Sequence, residues 1–354
     1  MFLPYEWRRY LDPVSRLSRV ETQERNRARV LDAARAEFAE RGFRDAKIDA
    51  IAERAALTRG AVYSNFPGKR ALYFAVLADQ SWPSPANPTL GDSPAEALGG
   101  LARAWVSRQD RLGADLFGEL RTEDVRVPFT QLMALDALLL GLALERLRPP
   151  EPGARLVRLA TTALTLLHGA RQLTAVAPGF VEAFDVVSAC EQLGGLDLND
   201  YWAPPRHTAP AVPLVSPWQP PSTVDLVTGV AAAPADGVVA VLGLHRLAAA
   251  EEAVRASADP LTIAVVTGNP AELDPLARLV IGELASCLRQ SFPRSAWPSV
   301  QVVSDPTGTL AAAAGVPAVS DVTESAVRVA NGQIVCRADG TGACHAVATA
   351  KVRV

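Results

Sequence analysis

Residues 48–78 read IDAIAERAALTRGAVYSNFPGKRALYFAVLA, and the spacing within this stretch decides how the first part of the chain folds. Ile48, Ile51, Ala52 and Ala55 fall at i, i+3, i+4 and i+7, the mark of a short helix with one apolar face. A break at Ala56-Leu57 leads to Thr58, a good N-cap, and to a second short helix ending near Asn65. Pro67 suits the first turn of a further helix, apolar through Leu72, Ala75 and Val76. Upstream, Leu31, Ala34 and Phe38 share a helical face, and Gly42 stands where a helix C-terminus needs a left-handed residue. Helix, tight turn and short helix make the arrangement whose second member can enter a DNA major groove.

Charge is distributed in keeping with that reading. Residues 1–70 carry fifteen Lys and Arg against ten Asp and Glu, whereas the rest carries twenty against twenty-eight. A basic block on an acidic body points to a polyanion-binding module attached to something else. The 354 residues are enough for two or three domains, and 49% hydrophobic with 21% charged residues describes a globular chain. Four cysteines, at 190, 287, 336 and 344, are too few and too scattered for a disulfide scaffold or a CxxC metal site. No signal peptide is legible in MFLPYEWRRY. The longest nearly apolar run, residues 132–144, contains Asp136, which argues against a membrane span. The expectation is a cytoplasmic protein with reduced thiols, no metal and no cofactor.

The residues ARVLDAARAEFAERGF, IDAIAERAALTRGAVYSNF and the following PGK resemble the DNA-binding domain of the TetR/AcrR transcriptional repressors over about residues 24–78. The resemblance implies a DNA interface of Lys47, Thr58, Arg59, Gly60, Ala61, Tyr63, Ser64, Asn65 and Lys69. Tyr63 and Lys69 would hold phosphates, with a packing aromatic and a solvated lysine as their ordinary alternatives. Arg59, Ala61 and Ser64 would face bases, where an arginine reads guanine and a methyl meets thymine. Two positions depart from the family pattern. Asp45-Ala46-Lys47 replaces the usual threonine at the start of the second helix, so that Asp45 would cap and Lys47 supply the phosphate contact. Ala56 replaces the usual glycine of the turn, and a left-handed alanine there costs about 1 kcal/mol. In the extension over residues 1–20, Arg8, Arg9, Arg16 and Arg19 would form a minor-groove arm, or Phe2, Tyr5, Trp7 and Tyr10 would pack on the body.

From Pro94 to Leu196 the periodicity gives helices near 93–111, 114–121, 126–147, 152–175 and 179–194. The resemblance makes this region the effector-binding and dimerisation domain, with the last two helices pairing against a partner's. Trp105, Phe117 and Met133 on apolar faces, with His168, Arg171 and Gln172 on one helix, would form a pocket for a hydrophobic or weakly acidic small molecule. Ordinary core packing is the alternative for each of these side chains.

Seven prolines over residues 204–221 read as an extended, semi-rigid spacer. Beyond it, apolar runs at 238–242, 261–266 and 300–303 alternate with helical runs at 246–257 and 270–290. A hairpin follows over 326–330 and 333–337, turning at Asn331-Gly332, and a last helix spans about 343–350. This order, with VVSDPTGTLAAAAGV and SAVRVANGQIVCRADG, resembles the thioredoxin fold in its peroxiredoxin branch. The peroxidatic position reads Leu242-Gly243-Leu244-His245-Arg246, without cysteine, so the domain is expected to be catalytically silent. Cys344, at a helix start beside His345, would have a depressed pKa if it sensed oxidant with Cys336; two structural thiols are the alternative.

The sequence thus predicts a multidomain chain. It comprises an N-terminal extension (1–20), an all-α helix-turn-helix domain (21–80), a helical effector and dimerisation domain (90–198), a proline-rich linker (199–222) and an α/β thioredoxin-like domain (223–354). The expected function is that of a homodimeric repressor, not an enzyme, released from double-stranded operator DNA by a small-molecule effector. The alternative is a redox-responsive regulator or thiol oxidoreductase acting through the last domain.

Overall fold

The computed structural model describes residues 19–80, 90–108, 112–201, 204–205 and 208–351. The proposed arm residues Arg8, Arg9 and Arg16, and the aromatics at 2, 5, 7 and 10, lie outside these; Arg19 opens the first helix.

Helix α1 (Arg19–Asp45) is broken at Gly42, whose φ of 71° ends the regular turn as its position predicts. Helices α2 (Ile48–Arg54), α3 (Arg59–Tyr63) and α4 (Lys69–Ala78) follow. Their shared core is Val30, Ala34, Phe38, Ile51, Ala52, Val62 and Phe66, so the buried face of α1 runs through Val30, with Leu31 half-buried beside it. Tyr73 seals it from α4, with its ring centroid 5.3 Å from that of Phe38 in an edge-on contact. Glu37, buried on α1, is bracketed by Arg41 at 3.2 Å and Arg54 at 3.3 Å, which fastens α2 to α1.

The helical middle comprises α5 (Pro94–Val106), a 3₁₀ turn (Leu112–Asp115) running into α6 (Leu116–Glu119), α7 (Glu123–Leu147), α8 (Val157–Val176) and α9 (Ala183–Leu193). Ser93 and Glu96 close a capping box at the start of α5. Helix α7 is long and apolar enough to cross a bilayer, but in this fold it is a core helix packed against α8 and a helix of the C-terminal part.

The proline-rich segment is not only a spacer. It supplies strand β1 (Val212–Pro217), the edge of a six-stranded mixed sheet. After a small ribbon of β2 (Thr223–Val224) and β3 (Ala231–Ala232) come β4 (Gly237–Gly243), α10 (Ala249–Ala256), β5 (Leu261–Val266), α11 (Pro270–Ser291) and β6 (Val300–Ser304). Helix α12 (Thr309–Ala313), the hairpin of β7 (Glu324–Ala330) and β8 (Gln333–Asp339), and α13 (Ala343–Thr349) complete the unit. The strand order is β1-β8-β7-β4-β5-β6, with β4, β5 and β6 parallel and β7 antiparallel to both β4 and β8. The hairpin turns on Asn331 and Gly332 at φ of 53° and 69°, the doubly left-handed geometry that Asn-Gly favours.

Burial on both faces explains the unbroken apolar runs of β4 and β5. Val239, Val241, Ala264 and Val266 meet α12 and Trp218 on one face. Val238, Ala240, Leu242 and Ile263 face the other way, into a core that continues without interruption into the helical middle. Helix α11 makes that continuity possible. Leu276, Leu279, Val280, Ile281, Leu284, Cys287 and Leu288 bury nearly its whole circumference, and it packs against α4, α5, α7 and β6. The α/β unit is therefore docked on the helices through its own longest helix.

Candidate nucleic-acid interface and interior cavity

At the joint between α2 and α3, Ala56 takes φ of 50°, the left-handed conformation expected of this position. Arg29 reaches back to the Ala56 carbonyl at 3.4 Å and helps hold the turn. Thr58 caps α3, its Oγ1 accepting from the Ala61 N–H at 3.2 Å. Thr58, Arg59, Gly60, Tyr63 and Ser64 are exposed, and Val62 and Phe66 anchor the opposite side of the segment in the core. Tyr63 is 41% exposed, a high value for a ring that sequence alone left between packing and presentation. Arg59 lies with its guanidinium 5.5 Å from the Tyr63 ring centroid and 3.3 Å from Asp49. Both contacts are exposed, and the ion pair contributes little in water. Arg59 can therefore exchange them for a phosphate or base edge.

The other expected residues fall around this helix. Lys47 is exposed at the N-cap of α2 and forms no side-chain cap; Asp45 belongs to the last turn of α1, so the expected Asp45 cap is absent. Pro67 precedes the N-cap Gly68, outside the first turn of α4, since the proline and glycine form the bend that sets the helix direction. Asn65 turns inward, its Nδ2 donating to the Ala61 carbonyl at 2.8 Å, while Arg27 stacks over Phe66 at 4.4 Å. Lys69 is engaged: its Nζ donates to the Arg44 carbonyl at 2.9 Å and lies 4.6 Å above the Phe43 ring. It stabilises the C-terminal end of α1 by satisfying a terminal carbonyl.

Between α6, α7 and α8 lies a cavity of about 570 Å³, large enough for a drug-sized molecule. Phe117, Phe129, Met133 and Leu164 supply its apolar wall, and Thr130, Thr165, His168 and Gln172 its polar points. Four of the six pocket residues expected from sequence thus line one space: Phe117, Met133, His168 and Gln172. Trp105 and Arg171 stand behind the wall. The Arg171 guanidinium stacks 4.7 Å from Trp105 and 5.6 Å from Phe117, and Trp105 meets His168 edge-on at 4.8 Å.

Two acids that sequence reasoning missed complete this cluster. Glu283 of α11 receives Arg171 through both oxygens, at 2.5 and 3.3 Å. Asp136 of α7 is buried, and its carboxyl is pushed well above the usual range by burial and by Glu283. The signal for Asp136 was a lone acid within an otherwise apolar helix; nothing local marks Glu283. Arg171 Nη2 lies 3.2 Å from His168 Nδ1, and a guanidinium can only donate. Nδ1 is therefore the acceptor and the imidazole is neutral. Burial and the charge of Arg171 lower the His168 pKa to about 3.

The thiols depart from expectation. Cys344 is buried in the first turn of α13, where burial and then the Glu324 and Glu252 carboxylates push its pKa well above the ordinary thiol value. The helix terminus that was to activate it is occupied: Glu324 Oε1 accepts the Gly342 N–H at 2.7 Å and the Ala343 N–H at 3.2 Å, and Arg246 pairs with the other carboxylate oxygen. Cys336 is also buried and raised.

Comparison with known proteins agrees with the geometry of the first four helices. Residues 30–76 match the model of the bacterial regulatory proteins of the tetR family. The regulator SrpR of Pseudomonas putida is 47% identical over 60 residues, 17% of this chain and 28% of that protein. TtgW, an uncharacterised regulator from another strain of Pseudomonas putida, is 43% identical over 70 residues, 20% of this chain and 52% of that protein. The chain thus spans about half or less of the length of these curated relatives. Among solved structures, a TetR transcriptional regulator from Rhodococcus sp. RHA1 is 22% identical, covering 49% of this chain and 94% of that one with a TM-score of 0.34. The capped recognition segment, its left-handed turn and the matched sequence lead to one assignment: residues 30–76 are a helix-turn-helix domain of the tetR family.

Proposed function

We propose that the chain is a homodimeric transcriptional regulator that represses from double-stranded operator DNA and is released by a small molecule bound in the α6–α7–α8 cavity. The observation that carries this reading is the capped α3 with Arg59, Tyr63 and Ser64 exposed on one side of it. Thr58, Gly60, Ala61 and Asn65 shape the same segment, with Lys47 flanking it, and Arg59 and Tyr63 are the direct DNA contacts. Lys69 acts by orienting the end of α1, and its remaining donors serve a phosphate.

A dimer is supported by apolar side chains left exposed on α8, α9 and their connection: Leu173, Val176, Phe180 and Phe184, the last three at 73–78% exposure. Two half-sites require two recognition helices at fixed separation, which a partner seated on this face would provide. The cavity has a mechanical route to the DNA-binding unit. Phe117 of its wall lies two residues beyond Asp115, whose Oδ2 accepts the Phe43 N–H at 2.8 Å at the end of α1. Occupancy that displaces Phe117 would shift that anchor and the spacing of the recognition helices.

We read the α/β unit as thioredoxin-like, because the antiparallel hairpin β7–β8 lies beside β4 and the parallel pair β4–β5 continues to β6. At the N-terminus of α10, where a peroxidase of that fold would keep its cysteine, the Ala248 N–H donates to Gln131 Oε1 of α7 at 2.9 Å. The face is used for an internal contact, which favours a binding or structural role over an oxidoreductase. The test is a gel shift with DNA from upstream of the gene, comparing wild type with Tyr63→Ala. A salt-sensitive shift weakened by the substitution supports the reading, and no shift on that DNA or on pooled genomic fragments refutes it.

A further inference from the structure

The cavity is built so that the cation beside its wall is held back. Arg171 is clamped by both oxygens of Glu283, stacked between Trp105 and Phe117, and in hydrogen-bond contact with a His168 nitrogen that can only accept. Only Phe117 and His168 of this cluster reach the cavity surface; the charged groups lie behind them. Every other polar lining group is an uncharged hydroxyl or amide, from Thr130, Thr161, Thr165 and Gln172. Bringing an ion into such a space costs far more than bringing in an apolar molecule, because nothing on the wall replaces its lost hydration. The clamp that removes Arg171 comes from α11, more than a hundred residues along the chain.

We propose that Glu283, a residue of the α/β unit, sets the cavity to accept uncharged, largely apolar molecules by holding the Arg171 guanidinium out of it. The proposal rests on the reading of this cavity as the effector site, and it gives the C-terminal unit a part in choosing the effector. A ligand of this class would place its apolar body on Phe117, Phe129 and Met133. One hydroxyl or carbonyl would meet His168 Nε2–H or Gln172. A carboxylate or sulfonate on the same skeleton would find no partner while Glu283 is present.

Two fluorescent probes of one skeleton test this on the full-length protein: uncharged N-phenyl-1-naphthylamine and its anionic relative 8-anilino-1-naphthalenesulfonate. Wild type is expected to bind the uncharged probe roughly tenfold more tightly. Ala137→Phe, which fills the cavity, should abolish that binding and so locate it. Glu283→Gln frees Arg171 and should narrow or invert the preference, and the double variant Arg171→Gln/Glu283→Gln should restore it. That restoration separates an effect of charge from damage to the fold. Equal or tighter binding of the anionic probe by wild type overturns the proposal while leaving an effector cavity in place. An unchanged preference in Glu283→Gln does the same. Failure of Ala137→Phe to affect either probe overturns the proposal and the effector-cavity reading together. DNA binding by wild type is scored separately, so loss of the regulator reading would be visible independently of the probes.

Discussion

Truncating Leu284 to alanine tests whether α11 joins the DNA-binding unit and the sheet into one cooperative structure. The side chain is fully buried in a helix packed between α4, α5, α7 and the sheet. A leucine-to-alanine change in so enclosed a site removes the transfer energy of the lost carbons and leaves a cavity, at a cost of about 3–5 kcal/mol. If opening of α11 uncovers both units, amide protons in each lose protection by the same factor, roughly 10²- to 10³-fold. Hydrogen exchange followed by mass spectrometry reads this directly, with peptides covering α4 on one side and β5 on the other. The reasoning fails if β5 loses protection and α4 keeps the wild-type value. That result would mean that α4 is held by α1 and its own core, and that α11 is merely laid against it.

Four further outcomes are expected. Ala56→Gly relieves a left-handed alanine and should raise the thermal midpoint by the equivalent of about 0.5–1 kcal/mol, less than the full strain because glycine loosens the unfolded chain; a lowered midpoint would contradict the turn geometry. Arg59→Ala should weaken operator binding by about 1–3 kcal/mol in a gel shift if Arg59 reads a base, and by a uniform loss across sequences with a shallower salt dependence if it meets phosphate; no change would remove it from the interface. In the folded protein at pH 8 the four cysteines should resist a thiol reagent and operator affinity should ignore peroxide, because all are buried and burial pushes Cys190 and Cys287 up to about 12. His168 is lowered to about 3 in the folded state, so acid favours the unfolded chain, where the ring protonates near 6.5. Stability should fall by up to about 1.4 kcal/mol per pH unit as pH drops below 6.5, and His168→Asn should flatten melting curves between pH 6.5 and 5.

What the sequence disclosed and what it hid divide along physical lines. Gly42, Ala56, Thr58 and Asn331-Gly332 act through backbone conformation or a hydrogen bond within a few residues, and such signals are complete in a short window. The runs of β4 and β5 were equally legible, because strands buried on both faces need an unbroken apolar stretch. The proline-rich segment was harder: β1 is an edge strand, where prolines at 213 and 217 are tolerated beside a free side, so its composition reads like a linker. Helix α11 was read as a helix but not as a hub. Its role depends on partners such as Arg70, whose Nε meets Glu272 Oε1 at 2.5 Å across 202 positions of sequence. The pocket cluster shows the same limit. His168, Arg171 and Gln172 are spaced on one helix and could be grouped, whereas Glu283 arrives from another unit entirely.

The place of α11 also bears on when this protein becomes whole during its synthesis. The helix α4 leaves the ribosome about 190 residues before α11, an interval on the order of 10–40 s at ordinary elongation rates. Through that interval the apolar residues of α4 that α11 will cover stand without their partner. A nascent chain thus carries its recognition segment early but lacks the support behind it, and a message cut short before α11 yields a product with an uncovered greasy flank, suited to proteolysis and not to binding an operator. Full-length translation is in this way built into the activity of the N-terminal domain.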